Sequence, residues 1–428
     1  MNKWIEYSLK YRYSQSHSQR GFAIPVAVGM GLIILLVGIT MLLRSQSSQV
    51  SAIAQKDTAK SLNAAEAGVS NIRALINQHR AIALYPACVS PDGSGNCLDS
   101  GSTVSWGLPN NIPNVLSTCD VDQRSVITSI AQGTWQPVDP GDVSQGQYRL
   151  FDYNYDAGKG NLKVQGRMNP GEPSESVSEL DVSFPVNPVE DQTAGLWVTT
   201  SADTEEINAD VLGDCDSTLT TDPQGDYEAR QLGLTMPPIP EKPLGAMVLS
   251  ASTFIEKSLP RPGDSPNGPN GEYQYVIDTL GGPTFTTLTI PADKQIEIWV
   301  DGNIDLRGKM IKHTCGSTPG CGPFQVKFYL QGNSGDDITL DQGTVICDVF
   351  IHAPIYNVTN YASGTTTESC GNGTKRTSVF WVKSWEDEAG VSIPVLDPPR
   401  ATWKDAPIVY PPRLGPLETW QTKERSDS

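Results

Sequence analysis

The sequence predicts an α+β protein in which one long N-terminal helix precedes an antiparallel sheet and then a larger, mostly-β region. A 22-residue uncharged apolar run, 22–43, is followed by an amphipathic helical pattern. Residues 148–155 are β-prone, and the runs 162–167 and 180–186 alternate between apolar and polar side chains, as strands of a half-buried sheet do. Short β-prone runs ended by Gly, Asn or Asp then recur from residue 195 onward. The length of 428 residues indicates more than one domain.

The N-terminal helix is predicted from its apolar run and from the pattern that follows. At about 1.5 Å per residue, residues 22–43 are long enough to cross a bilayer. Beyond Arg44 apolar residues recur at spacings of three and four, which extends the helix to about Asn77. These residues are Leu62, Ala65, Val69, Ile72 and Ile76. We assign residues 22–83 to this helical unit, with one face of its second half packed on a globular domain.

The residues before the apolar run carry a processing signal. Basic residues precede the run, which places the N-terminus in the cytoplasm. A secretory signal peptide has its small residue after the apolar core, whereas Gly21 stands before it. Gln19-Arg20-Gly21-Phe22 resembles the class III leader of prepilins, the subunits of type IV pili and of secretion pseudopili. The alternative is the signal anchor of an unrelated single-pass protein.

This resemblance implies how the chain is matured and where it resides. A prepilin peptidase would remove residues 1–21 by cutting between Gly21 and Phe22, and Phe22 would become N-methylated. The mature subunit would span the inner membrane once before assembly, and would be periplasmic or extracellular within the fibre. Its implied partners are other minor pilins, the major pilin and the inner-membrane assembly platform.

A second stretch narrows the resemblance to one type of pilin. The residues Ala64, Ala65, Glu66 and Ala67, together with the run RGFAIPV at 20–26, resemble the N-terminal region of PilX-type minor pilins. The resemblance covers roughly residues 19–80, and in that family the AAEA stretch marks the lower part of the helix. Glu66 is either a solvated helix residue or a contact to another subunit.

One position departs from the pattern of major pilins. These carry Glu at the fifth mature position, where this chain has Val26. In that family the carboxylate is understood to pair with the N-terminal amine of a neighbouring subunit, because a buried unpaired charge is costly. We therefore expect a subunit that primes or caps the fibre. The alternative is that PilX-type subunits tolerate the loss anywhere in the shaft, and the sequence does not distinguish a pilus from a pseudopilus.

After the helix we expect a pilin-like head and a second β domain. Residues 84–190 contain the alternating strands and form the predicted head. Residues 195–400 are predicted to form a right-handed β-helix, with a β-sandwich as the alternative. Phrases such as VDGNIDLRG resemble, more loosely, the β-solenoid domains fused to PilX-type pilins.

One segment of this second domain and the tail that follows the domain are rich in proline. Residues 222–292 are predicted to be a Pro/Gly-rich insertion, which is either a binding surface or slack in the scaffold, and we favour slack. Residues 401–428 are predicted to be a tail that straps over the domain and ends in disorder.

The cysteines indicate an oxidising compartment. All eight follow the apolar run, which favours disulfides over a mixture of free thiols. Close spacing suggests three pairs and leaves a fourth, out of roughly 105 connectivities. The pairs are Cys88 with Cys97, Cys315 with Cys321, Cys347 with Cys370, and by elimination Cys119 with Cys215.

Charge and motif content limit the other functions. The net charge of −17 disfavours nucleic-acid binding, because an acidic surface repels phosphates. The spacing of His313, Cys315, Cys321, Cys347 and His352 matches no usual zinc site. The run from Asp92 to Asp99 resembles a calcium loop only loosely, since Thr103 stands where Glu is needed. We therefore expect neither a metal nor a cofactor.

Two alternative functions stay open beside a fibre subunit. A fibre-borne adhesin would bind surface polysaccharide or host matrix by stacking aromatic side chains on sugars, although core or strap anchoring is commoner. The aromatic candidates are Trp299, Trp381, Trp385, Trp403 and Trp420. A β-helix polysaccharide lyase or hydrolase would use an Asp cluster, although Asp also satisfies coil corners. The carboxylate candidates are Asp301, Asp305, Asp336, Asp337 and Asp341. With no catalytic motif present, we expect that the chain is not an enzyme.

Overall fold

The computed structural model describes residues 23–87, 104–115, 119, 123–172, 174–189, 192–249, 258–316, 318–333, 335–370, 374–389, 401–408 and 410–424. Helix α1 (Ala23–Gln78) is 56 residues long, or about 84 Å at 1.5 Å per residue. The predicted long helix is thus confirmed. Helix α2 (Arg124–Ala131) and single 3₁₀ turns at Arg80–Leu84, Pro109–Asn111, Val143–Gln145 and Pro323–Gln325 complete the helical structure of these residues.

An antiparallel sheet packs against the second half of α1. Its first four strands are β1 (Gln136–Pro137), β2 (Gln147–Asp156), β3 (Lys159–Met168) and β4 (Ser176–Asn187), which pair in that order. Apolar residues at alternating strand positions face the helix and are fully buried, including Leu162, Val164, Leu180 and Phe184. The predicted sheet is therefore present, and it shares one core with the helix, which we call the head core.

Small residues allow the helix to approach this sheet closely. Gly166 lies on β3 directly against α1, where a side-chain Cβ would collide with Ser61 O and Ala65 N. On the helix, a Cβ at Gly68 would lie 2.7 Å from the Cβ of Tyr148 and 2.7 Å from a methyl of Val164. Ala65 itself is completely buried. The Ala/Gly-rich stretch of the helix is thus the line along which the backbone meets the sheet.

The last part of the chain, residues 413–424, completes the head sheet. Strand β20 (Arg413–Leu414) pairs with β4, and β21 (Thr419–Glu424) pairs with the same strand from Ser178 to Ser183. Arg73 of the helix donates a 2.8 Å hydrogen bond to the Gly415 carbonyl. The predicted strap fits the segment around Trp403, which is buried, whereas residues 413–424 instead add strands to the head because β4 offers an edge that β3 leaves open. The last four residues lie outside the described part of the chain.

All described strand pairings between residues 196 and 387 are parallel. In chain order the strands are β5 (Leu196–Ile207), β6 (Val211–Gly213), β7 (Thr218–Pro223), β8 (Ala229–Gln231), β9 (Met247–Leu249), β10 (Tyr273–Ile277), β11 (Thr287–Pro291), β12 (Ile296–Val300), β13 (Ile304–Asp305), β14 (Met310–Thr314), β15 (Val326–Leu330), β16 (Asp337–Asp341), β17 (Val345–Cys347), β18 (Phe350–Tyr361) and β19 (Val379–Asp387). The main row pairs in the order β8-β6-β5-β19-β18-β15-β12-β10-β9.

Two further rows run beside the main row. Strands β13, β16 and the second half of β18 pair in parallel, and β19, β5 and β7 continue the same row. Strands β11, β14 and β17 form a separate parallel sheet. Inward residues of all these strands build one apolar core, which includes Ile298, Phe328, Ile351 and Phe380. Each inward side chain therefore stacks on its counterpart in the neighbouring strand.

The Pro-rich segment 232–246 contains no strand and crosses the outside of the main row. It carries the chain from β8, at one end of that row, to β9 at the other. Residues 222–292 are therefore not one insertion, since this interval also supplies β8, β9, β10 and β11 to the sheets. Nor is the segment slack, because Leu234 and Met236 are buried. The short strands here escaped prediction because prolines and glycines surround them.

Candidate functional site

The first half of α1 is an apolar surface that no other described residue covers. Large side chains from Ile24 to Ile53 are exposed, including Ile34 at 71% and Leu42 at 65%. The first charged side chain of the helix is Arg44. Among the described residues, α1 is the one helix long and apolar enough to cross a membrane. Such a surface requires lipid or other apolar helices around it.

The predicted processing site lies at the edge of what the structure describes. Gly21 and Phe22 are outside the described residues. Val26 lies in the first turn of α1 with an exposed isopropyl group. The first helical turn contains no acidic residue. Position 26 therefore presents an uncharged surface to any neighbour of the helix.

The four residues of the predicted helix motif divide between two surfaces. Ala64 and Ala65 are buried against the sheet, where their small size permits the close approach of the helix. Glu66 and Ala67 are half-buried at the side of the contact. The motif therefore has a packing role in this chain, and Glu66 remains accessible to a partner.

Six cysteines are paired in the described part of the chain. The disulfides join Cys315 to Cys321, Cys347 to Cys370, and Cys119 to Cys215, with Cα–Cα distances of 5.2 to 5.3 Å. Close spacing suggested the first two pairs and elimination left the third, while Cys88 and Cys97 lie outside the described residues. The third disulfide links the chain just before α2 to the connection between β6 and β7. It thereby fastens the head to the parallel sheets.

His313 lies beside the disulfide of Cys315 and Cys321. Its Nδ1 is 2.8 Å from the Asp348 carbonyl oxygen, and its Nε2 is 3.3 Å from Cys321 Sγ. Burial lowers the pKa of His313. The three ligand atoms lie within 4.8 Å of one another, but both sulfurs are consumed in the disulfide. In this state the cluster offers a metal one imidazole and no thiolate.

The five candidate carboxylates do not converge on one site but bind local groups. Asp341 Oδ1 accepts hydrogen bonds from the backbone N–H of Gly308 and Gly343, each at 2.9 Å. Asp305 binds Arg307 at 2.8 Å, and this hydrogen bond lowers the pKa of Asp305. Asp301 accepts a hydrogen bond from Lys242, Asp336 accepts one from the Asn333 backbone N–H, and Asp337 accepts one from the Asn357 amide. These contacts fix turns and coil corners.

Four of the five candidate tryptophans are not available to a sugar. Trp299, Trp381, Trp385 and Trp403 are each exposed by 4% or less. Trp420, on β21 of the head sheet, is 45% exposed. Trp385 packs in the core between the parallel sheets, and the other three lie in a separate cluster outside the main row. For these four residues the burial therefore agrees with core or strap anchoring, the commoner of the two interpretations, and not with stacking on a sugar.

The outer cluster follows a continuous row of paired residues across the main sheet. Neighbouring strands place the following side by side: Leu212, Trp197, Trp381, His352, Tyr329, Trp299 and Val276. We call these seven residues the aromatic row. The ring centroids of Trp197 and Trp381 are 5.0 Å apart, and those of Trp299 and Tyr329 are 5.2 Å apart. In the sequence, Trp299 and Trp381 stand out as aromatic candidates, but nothing near them in the chain indicates what covers them.

A second outward row is polar and uncovered by any described residue. Paired positions place Asp305, Thr339, Thr359, Glu386, Asp203 and Thr220 side by side on six strands. None of the six is buried. We call these six residues the polar row. Its hydroxyls and carboxylates repeat at the strand spacing of about 4.8 Å on a parallel sheet.

Comparison with known proteins adds little to this geometry. No family model matches the chain. No curated protein matches it either. Among solved structures, the crystal structure of the competence-associated pilin ComZ from Thermus thermophilus is similar at a TM-score of 0.24 and 10% identity. That match covers 86% of this chain and 98% of the other. A similarity this low supports neither a fold nor a function for this chain.

Proposed function

We propose that the chain is a minor pilin of the PilX type, delivered by a prepilin leader and held by α1. The observation that carries this proposal is the division of α1 into two halves. The first half is apolar and exposed, and the second is sealed to an antiparallel sheet through Gly166 and Ala65. A subunit that leaves a membrane for a helical fibre core requires this division. The helix would lie in the inner membrane before assembly, and the remainder would face the periplasm or the exterior.

The parallel sheets would then be the displayed domain. We propose that residues 192–389 form a parallel β-helix, because all described pairings between their strands are parallel and successive rows share one core. A β-sandwich of antiparallel strands fits these pairings less well. The domain is tied to the head by the Cys119–Cys215 disulfide and by the return of the chain to β4. It would be carried on the fibre as a rigid attachment.

Maturation gives the sharpest test of this function. Mass spectrometry of the protein from cells should find a mature chain beginning at N-methylated Phe22. Gly21→Leu should block the cut and leave the unprocessed chain in the membrane, whereas Gly29→Leu, in open space on the helix, should be processed normally. A wild-type chain that retains residues 1–21 would overturn the proposal.

We further propose that the subunit primes or caps the fibre. Val26 presents no carboxylate to a neighbour's N-terminal amine, and no acidic residue elsewhere in the first turn replaces it. The other minor pilins, the major pilin and the assembly platform would be its partners. Deletion of the gene should abolish fibres, Val26→Glu should change assembly little, and immunogold labelling should mark fibre ends. Labelling along the whole shaft would contradict this placement.

The polar row favours a second candidate function, a fibre-borne adhesin that does not cleave its ligand. Hydroxyl and carboxylate groups in a flat array suit the hydroxyls of a surface polysaccharide. Immobilised exopolysaccharide from the producing cells should retain the full chain, and Thr339→Val with Thr359→Val should weaken retention. Thr287→Val, on the separate sheet of β11, is the matched control.

Deletion of the gene distinguishes the two candidate functions. Loss of fibres in the deletion strain favours priming, while intact fibres that fail to adhere favour adhesion. Release of reducing ends from the polysaccharide would instead indicate an enzyme.

A further inference from the structure

Residues 232–243 cover the aromatic row mainly through apolar side chains, and only two of their backbone N–H groups are seen to donate outside the segment, Leu232 to the Gly213 carbonyl and Thr235 to Asn114. Leu234 and Met236 are buried against it, and Ile239 packs beside them. The hydrogen bonds across this contact include Trp299 Nε1–H to the Pro240 carbonyl at 3.1 Å and Gln331 Nε2–H to the same carbonyl at 2.8 Å. The segment forms no strand, and its four prolines have no N–H to donate. Apolar contact therefore supplies most of what holds it.

His352 lies at the centre of the covered row. It is 1% exposed, and its ring centroid is 5.5 Å from that of Trp381 and 6.2 Å from that of Tyr329. Neither ring nitrogen makes a hydrogen bond of good geometry, and neither does Trp381 Nε1. Buried polar atoms without partners cost about 1–3 kcal/mol each. Three such atoms side by side make this the least satisfied part of the cover.

Among the residues that the structure describes, none brings a charge to the His352 ring that would stabilise an imidazolium. From the sheet, the ring meets Tyr329, whose pKa is raised by burial, and the rings of Phe350 and Trp381. On the same outer face, the charged residues Lys327 and Glu297 lie two residues before Tyr329 and Trp299 on their strands. They pair with each other at 3.2 Å. In the covering segment, the Pro237 carbonyl raises the pKa of His352, but burial lowers this pKa by more.

The charged residues of the covering segment point to other partners. Lys242 binds Asp301 at 2.7 Å, and Glu241 is exposed. Neither is a counter-ion for the ring. Proton uptake by His352 therefore requires water to reach it, and the covering segment is what excludes water.

We propose that residues 232–243 form a strap that acid releases, because His352 accepts a proton far more readily once the strap leaves the aromatic row and water reaches the ring. With the strap closed, burial lowers the pKa of His352 from 6.5 to about 4. With the strap open, the pKa returns toward its ordinary value. The open state therefore binds more protons between these two values, and opening is favoured as the pH falls through that window. Release exposes the aromatic row from Trp197 to Trp299 over about 19 Å, or four strand spacings.

Indole hydrogen exchange measures the opening directly. In the full chain in detergent, with ¹⁵N-labelled tryptophan, the Trp299 indole N–H is shielded by Pro240 and Trp106 donates to Ile82 O at 2.7 Å in the head. Exchange rates are divided by that of a free indole at the same pH. From the two pKa values, the corrected Trp299 rate should rise about 70-fold between pH 7.5 and pH 4.5. The Trp106 rate should stay constant.

Variants separate the strap from general acid unfolding. His352→Phe, which stacks but does not titrate, should remove the pH dependence at Trp299, and His352→Gln should do the same. His313→Gln, at the other buried histidine of this domain, should retain it. The proposal is overturned by a flat wild-type profile, by a parallel rise at Trp106, or by pH dependence that survives both His352 variants.

Discussion

The two β parts of this molecule are stabilised over different distances along the chain. In the head, β4 pairs with β3 just before it and with β21, which the chain supplies only after all the parallel sheets. In the parallel part, most strands pair with one that follows roughly 20–30 residues later. The head thus depends on the far end of the chain, while the parallel part depends mainly on its inward residues.

One joint in the parallel part breaks this rule. Strand β5 pairs with β19, although Leu196 and its partner Phe380 are far apart in sequence. The chain begins the parallel part at this joint, moves outward through β6 and β8, and returns along the strap to β9. The strap is therefore the connection that allows the first strands to stack on the last.

Removal of the C-terminal strands should have the largest effect. A chain ending at Pro412 loses β20 and β21, and with them Leu414 and Leu417, which pack on the head core. We expect the head to lose about 5 kcal/mol, from two apolar contacts and several backbone hydrogen bonds. Urea unfolding in detergent, followed through Trp106, measures this loss.

The matched control for this truncation is a chain ending at Glu424. It keeps both strands, so its urea midpoint at Trp106 should equal that of the full chain. Equal head stability in the two truncated chains would show that β4 does not need its distant partner.

A core truncation in the parallel part should be nearly as costly there and should spare the head. Phe328 is 1% exposed and lies between Ile298 and Ile351 of the neighbouring strands. Phe328→Ala should cost about 4 kcal/mol through the cavity it leaves. Thr359→Ala, in the polar row, should change stability by less than about 0.5 kcal/mol. Trp299 and Trp106 indole protection report the two parts separately, and an equal loss at both would refute their independence.

A methyl group between helix and sheet should have an intermediate effect. Gly166→Ala places a Cβ against the backbone of Ser61 and Ala65. These are backbone atoms of a rigid helix, so they cannot easily move aside to make room for the new methyl group. We expect a loss of about 2 kcal/mol in the head. Gly245→Ala, where no atom lies within 4 Å, is the control and should be neutral. Stability unchanged by Gly166→Ala would mean that the helix and sheet are less closely packed than these distances indicate.

The elements with local signals were predictable from the sequence. The uncharged run and the three-four spacing predicted a helix to about Asn77, and α1 ends at Gln78. Alternation predicted strands where β12, β15 and β19 lie, because the inward residues of each are apolar. The parallel β-helix remains a proposal. The leader and the maturation of Phe22 rest on the resemblance and remain predictions.

The covered surfaces were not predictable, because they depend on contacts between distant parts of the chain. Trp299 and Trp381 alternate away from the core, which is also the pattern of exposed binding residues. What decides between the two is their cover, which consists of the strap and the segment around Trp403. Likewise, β21 carries mostly exposed side chains, so no apolar pattern marks it as a strand of the head. Its role follows from the free edge of β4, which lies far away in sequence.

The smallest expected effect concerns the ion pair at the end of the strap. Lys242 and Asp301 are 2.7 Å apart, but their side chains are 39% and 35% exposed, so water and salt screen the attraction. Lys242→Met should therefore change Trp299 indole exchange by less than about threefold, which corresponds to less than about 0.6 kcal/mol. Met236→Ala removes a buried thioether side chain from the same strap and should raise exchange by much more. The opposite order would mean that the strap is held by charge. In that case the attachment of the strap would weaken as the salt concentration rises. The strap, like the C-terminal strands of the head, would then be held mainly by polar contacts and not by the apolar surface of the aromatic row.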